Sequence, residues 1–299
     1  MTTNIVTRWE DWRNLRGGDG RHRRAVDAWL ETHPAILYWG DSWFSTPLYP
    51  NLARQSAAGI DGLVMIVGKP GATAAELLST GNVKRMIDQI KANPFHVMCI
   101  SIGGNDALSD RLEAIFPDWI GHEKASLTAE QAFDMVLGSG LFDRLVDRYR
   151  RLLDSVAAGV IPTRPAFEVV GQSYAPLRRI GVAGDLTIGN IGLIAILKDD
   201  VGPWLWRPMK WVLADIADGA RFSDLLLAEG FRDRVLVVLR NEYPGLFSFA
   251  DIANVVALDD KSLWYDEIHP TAAGFAACAP ILNSAIRAAL PEPKRHAIA

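Results

Sequence analysis

Short apolar runs recur through this chain, each stopped by a glycine or a polar turn and followed by a stretch with helical spacing. This alternation restricts the fold more than any other feature. The runs are residues 35–39, 63–67, 96–102, 166–170 and 254–258. Their length and their β-branched and aromatic content are those of buried strands. Between them, Val83, Met86, Ile87 and Ile90 recur at helical spacing, as do Leu145, Tyr149, Leu152, Leu153 and Val156. Further helices are expected over residues 21–31, over 225–242 with Val235, Val238 and Leu239 on the inner face, and over 271–290. Thr73, with Glu76 three residues on, forms a capping box that starts a helix after the second run. Strands that are apolar throughout and alternate with helices belong to a parallel sheet covered on both faces. The expected fold class is therefore α/β, a three-layer α/β/α flavodoxin-like domain with a central parallel sheet of about five strands. One domain is expected over 1–299, with an N-terminal extension, 1–34, and an insertion around 174–220. That insertion breaks the alternation with Gly, Leu, Ile and three tryptophans, Trp204, Trp206 and Trp211.

The chain has 299 residues, 49% of them hydrophobic, enough to bury a full core. Its formal net charge of -4 gives no general basic surface for nucleic acid. The two cysteines, Cys99 and Cys278, read as small core residues rather than a disulfide framework. The longest nearly uncharged apolar stretch, 186–197, is too short to span a bilayer, so no integral membrane segment is expected. Residues 1–10 carry no apolar h-region of a signal peptide, and the expected location is cytoplasmic. No clustered His/Cys spacing points to zinc, and neither metal nor cofactor is expected.

The polar residues after the runs are the ones that carry chemistry. Ser42 follows the first run, Gly71 the second, Asn105 the third, and Asp266 and His269 the last. Parallel strands all end on one side of the sheet, where open α/β sheets bind their ligands. These residues then meet at one edge with complementary roles in acyl transfer. Ser42 supplies a nucleophile and His269 its base, with Asp266, about one turn earlier, orienting the imidazole. The backbone N–H groups of Ser42 and Gly71 and the Asn105 amide supply donors for an oxyanion. Each residue also has a plain reading. Asp41-Ser42 could only cap a helix. Asn105 could form an Asx-turn, Gly71 could serve a turn alone, and Trp43 could be pocket wall or core. Asp106 reads as a structural cap, His96 and His122 receive no role, and the three tryptophans read as core or lid packing.

Gly40-Asp41-Ser42, Gly68-x-x-Gly71-x-Thr73, Gly103-Gly104-Asn105-Asp106 and Asp266-x-x-His269-Pro270 resemble, in order, the four sequence blocks of the SGNH (GDSL-type) hydrolase family. The resemblance implies a flavodoxin-like fold and a serine esterase, lipase or deacetylase. It implies Ser42 as nucleophile with His269 and Asp266 as partners, and Gly71 and Asn105 as oxyanion donors. The chain departs from the family pattern at Trp43, where Leu is usual, and at Ile66, where Asn is usual. The spacing from Ser42 to His269 is also long. The expected partner is a small-molecule, carbohydrate or lipid ester, cleaved through an acyl-enzyme. Other readings stay open: acyl transfer by the same triad, a nucleotide- or phosphate-binding module built on Gly68-x-x-Gly71, and a non-catalytic scaffold. The acyl chain, the alcohol and the oligomeric state are not set by the sequence.

Overall fold

The computed structural model describes residues 4–17, 20–46, 50–184 and 202–299. Six strands form one sheet: β1 (Asn4–Val6), β2 (Ala35–Gly40), β3 (Leu63–Gly68), β4 (Val97–Ser101), β5 (Glu168–Gln172) and β6 (Phe247–Ala250). All pairings are parallel, in the order β1-β3-β2-β4-β5-β6. The five strands from β3 to β6 keep the flavodoxin order, and β1 adds a sixth at the β3 edge. All six residues of β2 and all five of β4 are buried. Successive side chains point to opposite faces, so full burial means that both faces are covered. The helices Leu52–Ala58 and Ala272–Ala289 pack together, as do Thr80–Ala92 and Leu141–Gly159. Ala272–Ala289 is long and apolar enough by composition to cross a membrane, but it lies against β4, β5 and β6, with Phe275, Cys278, Leu282 and Ile286 in the core.

Two expectations about strands need correction. The sheet has six strands rather than five, because residues 4–6 pair with residues 63–65. Three half-buried residues are too short to show a strand period. The last strand lies at Phe247–Ala250, not at 254–258. Residues 252–259 form two short 3-10 turns, and Val256 is 80% exposed. The Val-Val-Ala-Leu run has strand composition, but hydrogen-bonded place in the sheet went to the shorter Phe-Ser-Phe-Ala.

The helix expected over 225–242 begins earlier. Ile216–Asp224 runs directly into a π-helical stretch, Leu225–Val237, and then Val238–Glu242. The wider turn buries Leu236 beside Val235 and Leu239, and leaves Val238 half-buried. Of the stretch 174–220, residues 185–201 lie outside the described residues, and with them the apolar run 186–197.

Candidate active site

The chain passes from β2 to β3 on one side and from there to β4 on the other. The switch in direction opens a crevice between the carboxyl ends of β2 and β4. Ser42 leaves β2 and Asn105 leaves β4, so the topology alone delivers both to this crevice. Asp41 ends β2 as an N-cap, its side chain accepting from Trp43 N at 3.0 Å. The capping expected of Asp41 is therefore present, and it turns the chain sharply enough to lift Ser42 out of the strand. Ser42 N–H, at the first position of that turn, donates to no group among the described residues.

His269 comes to Ser42 from the other end of the chain. Its Nε2 lies 2.8 Å from Ser42 Oγ. Its Nδ1 lies 2.8 Å from Asp266 Oδ2 and 3.1 Å from Oδ1. Asp266 Oδ1 also accepts the backbone N–H groups of Ile268 and His269, at 2.9 and 2.8 Å. These two bonds hold the carboxylate in one orientation beneath the ring. Burial on its own would push the imidazole down. The charge of Asp266 and its hydrogen bond, with Asp41 behind, override burial and hold His269 above the ordinary 6.5.

After β4, Gly103 sits at φ 119, a backbone conformation that strongly favours glycine, and a Cβ there would meet Phe231 at 2.7 Å. The resulting turn, Gly104–Ala107, presents Asn105, whose Nδ2 donates to Ala72 O at 3.0 Å. One amide hydrogen of Asn105 is thus taken and the other left. Gly71 has φ 72 and is exposed. It is not among the residues lining the cleft at Ser42, although the Asn105–Ala72 bond ties its loop to Asn105. Its N–H also donates to no group among the described residues. Asp106 acts as a cap, its Oδ2 accepting from Ala74 N at 2.6 Å. The Thr73–Glu76 capping box is present. His96 is structural, its Nδ1 accepting from Ala35 N at 2.9 Å, and burial depresses it to about 4.

Ser42 opens onto a cleft of about 40 Å³. Trp43, Leu108, Leu177, Leu205, Leu226 and Ile268 form most of its apolar wall. Such a lining suits an apolar group placed next to a few convergent polar atoms.

Trp43 was expected as pocket wall or core, but several contacts that hold this site were not foreseen from the sequence. Trp43 is both wall and core: it is buried, lines the cleft, and its Nε1 donates to Ile268 O at 3.1 Å, next to His269. Asp41 is itself held by Tyr174, whose hydroxyl donates at 2.5 Å, and by Ser101 Oγ at 2.9 Å, which in turn accepts from Gln172. Burial raises Asp41 to about 6 despite these bonds. Glu267 lies inside the Asp-x-x-His block and is fully buried. Its carboxylate accepts the backbone N–H groups of Gly181 at 2.9 Å, Leu205 at 2.6 Å and Trp206 at 3.1 Å. It thereby fastens the described parts of the 174–220 stretch to the His269 loop, and the Trp204 ring stands edge-on to His269 at 5.6 Å. An acid inside the Asp-x-x-His block was the only local signal for Glu267. Tyr174 had none, because Asp41 is 133 positions away.

No protein-family model and no curated protein sequence matches this chain. Among solved structures it is similar to phospholipase A1 from Streptomyces albidoflavus NA297, at 18% identity and a TM-score of 0.47, over 85% of this chain and 99% of that one. It is also similar to an extracellular lipase from Streptomyces rimosus, at 16% identity and 0.46, over 84% and 99%. A third is a carbohydrate esterase family 3 protein from Talaromyces cellulolyticus, at 13% identity and 0.40, over 86% and 98%. What Ser42, His269 and Asp266 can do follows from their own geometry.

Proposed function

We propose that this protein is a serine hydrolase that cleaves a carboxylic ester, acyl or acetyl, through an acyl-enzyme. The reading rests on one observation, the unbroken hydrogen-bond line from Ser42 Oγ through His269 to Asp266, with 2.8 Å at each step. Ser42 Oγ attacks the ester carbonyl carbon as His269 Nε2 takes its proton. Asp266 keeps Nδ1 protonated, so that Nε2 is free to accept, and it stabilises the imidazolium that forms. The carbonyl oxygen becomes an oxyanion, met by the free Ser42 N–H and the remaining amide hydrogen of Asn105. The intermediate collapses as His269 returns the proton to the leaving alkoxide, and the alcohol departs. Water, deprotonated by His269, then repeats the attack on the acyl-enzyme and releases the acid. The apolar cleft receives the acyl group, with Trp43 and Leu108 against it.

The test is reaction with a fluorophosphonate probe, followed by peptide mass mapping. Labelling on Ser42, lost in His269→Ala, is the expected result. An absence of labelling in folded protein, or labelling that survives His269→Ala unchanged, refutes the reading.

A further inference from the structure

A second cleft, of about 650 Å³, lies behind the turn that carries Asn105. Three arginines line it: Arg111, from the helix Asp110–Glu113, and Arg144 and Arg148, one turn apart on Leu141–Gly159. Thr73, Asp106 and Ser139 complete its polar lining. Several other arginines of the chain are closely paired. Arg150 holds Glu242 and Asp147, Arg178 holds Asp224 and Asp259, and Arg221 holds Glu130. In this cleft the guanidinium groups are left with spare donors. The Arg111 guanidinium makes no hydrogen bond or ion pair among the described residues, though its charge reaches Asp106. Arg148 Nη1 stands 3.9 Å from Asp106 Oδ1, beyond hydrogen-bond distance. Arg144 spends one Nη1 hydrogen on Ser139 O at 2.7 Å. Asp106, the one carboxylate in the lining, is already engaged at Ala74 N. Three guanidinium groups against the one acid of the lining, in a protein whose net charge is -4, make this cleft locally basic.

We infer that this cleft is a binding site for the phosphate or carboxylate groups of a small anionic molecule. Guanidinium forks match the geometry of these oxyanions and bond them two at a time. The cleft has room for a ligand with more than one charged group, or with an uncharged body beside one. The site also borders the proposed chemistry. Asp106 faces this cleft while Asn105, the next residue back, faces the cleft at Ser42. The anion is therefore either one end of the ester substrate or a separate effector acting through the 104–106 turn.

The test is calorimetric titration of the full chain with inorganic pyrophosphate at low salt. Saturable binding is expected, with a Kd of about 1 mM or tighter. Arg111→Glu and Arg144→Glu should each weaken it by roughly 10–100-fold, the worth of charge-assisted hydrogen bonds. Arg151→Glu, an exposed arginine on the same helix outside the lining, should leave it unchanged. No saturable binding in wild type, or equal weakening by all three variants, overturns the inference. Turnover distinguishes the two sources. Pyrophosphate that changes the rate on neutral 4-nitrophenyl acetate is acting as an effector. Pyrophosphate that leaves this rate alone but competes with mono-4-nitrophenyl succinate occupies the seat of a substrate anion. Ser42→Ala should bind pyrophosphate like wild type, so a failure of the hydrolase reading stays separate from a failure of the site.

Discussion

Asp266→Asn tests the proposed mechanism through a single proton. In wild type, Asp266 Oδ1 is committed to two backbone donors, Ile268 N and His269 N, and Oδ2 faces His269 Nδ1 at 2.8 Å. An asparagine there must choose where its NH2 goes. Turned toward the backbone, the NH2 confronts two N–H groups and orphans both, which costs about 1–3 kcal/mol for each, or roughly 2–6 kcal/mol together. The oxygen therefore stays at the backbone, and the NH2 donates to Nδ1. The 3.1 Å contact from Nδ1 to Oδ1 is the weaker one and cannot hold the original tautomer against a donor placed at 2.8 Å. Nδ1 becomes the acceptor, Nε2 carries the proton, and His269 points a donor at Ser42. The productive orientation falls to roughly 3% or less of molecules on the lower cost alone. Loss of the negative charge beneath the imidazolium takes the expected drop in kcat to about 10²–10⁴. Asp266→Ala frees the ring to adopt either tautomer, so it should be no more damaging than Asp266→Asn despite losing the whole carboxyl group. The assay is 4-nitrophenyl acetate hydrolysis followed by absorbance, with circular dichroism to show that both variants are folded. A kcat for Asp266→Asn within a few-fold of wild type, or an Asp266→Ala clearly worse than Asp266→Asn, would refute the orientation argument.

Three further outcomes are expected. His269 must be neutral to accept the Ser42 proton, and its pKa is held above the ordinary 6.5, so kcat/KM should fall as pH drops through that raised value. A profile flat down to pH 5 would remove His269 as the base. Asn105→Ala should lower kcat by about 10²–10³ with little change in thermal stability, and an unchanged kcat would remove its amide from the oxyanion site. Asp41 is raised from 3.8 to about 6, so the folded protein binds a proton there that the unfolded chain releases. Its contribution to stability is whole below pH 3.8 and is lost as pH rises toward about 6, by roughly 3 kcal/mol. In urea unfolding, the stability of wild type relative to Asp41→Asn should fall across that window. A difference that stays constant with pH contradicts this assignment.

Much of this protein is legible from its sequence because local patterns report burial and strand direction. The runs that became β2, β3, β4 and β5 are long, apolar and stopped by turns, and parallel strands of that kind bring the loops after them to one side of the sheet. Ser42 and Asn105 could therefore be gathered before any coordinates. Asp266 and His269 could be paired with each other by their spacing, although the run 254–258, expected to carry them to the sheet edge, is not a strand. Asp41, Thr73 and Asp106 could be read as caps, since a cap is decided within a few residues. The tertiary structure alone decided the rest. A run such as 254–258 can look like a strand and still lie outside the sheet, because hydrogen-bonded neighbours choose the strand, and Phe247–Ala250 had the place beside β5. Tyr174 beneath Asp41, the Trp43 indole on Ile268 O and Glu267 gripping Gly181, Leu205 and Trp206 join positions far apart in the chain. The same holds for Arg111, Arg144 and Arg148 around one cleft. Spacing along the chain carries the period of a helix or strand but not which distant side chain meets it, and the partner of a buried polar group is settled only when the whole chain is packed.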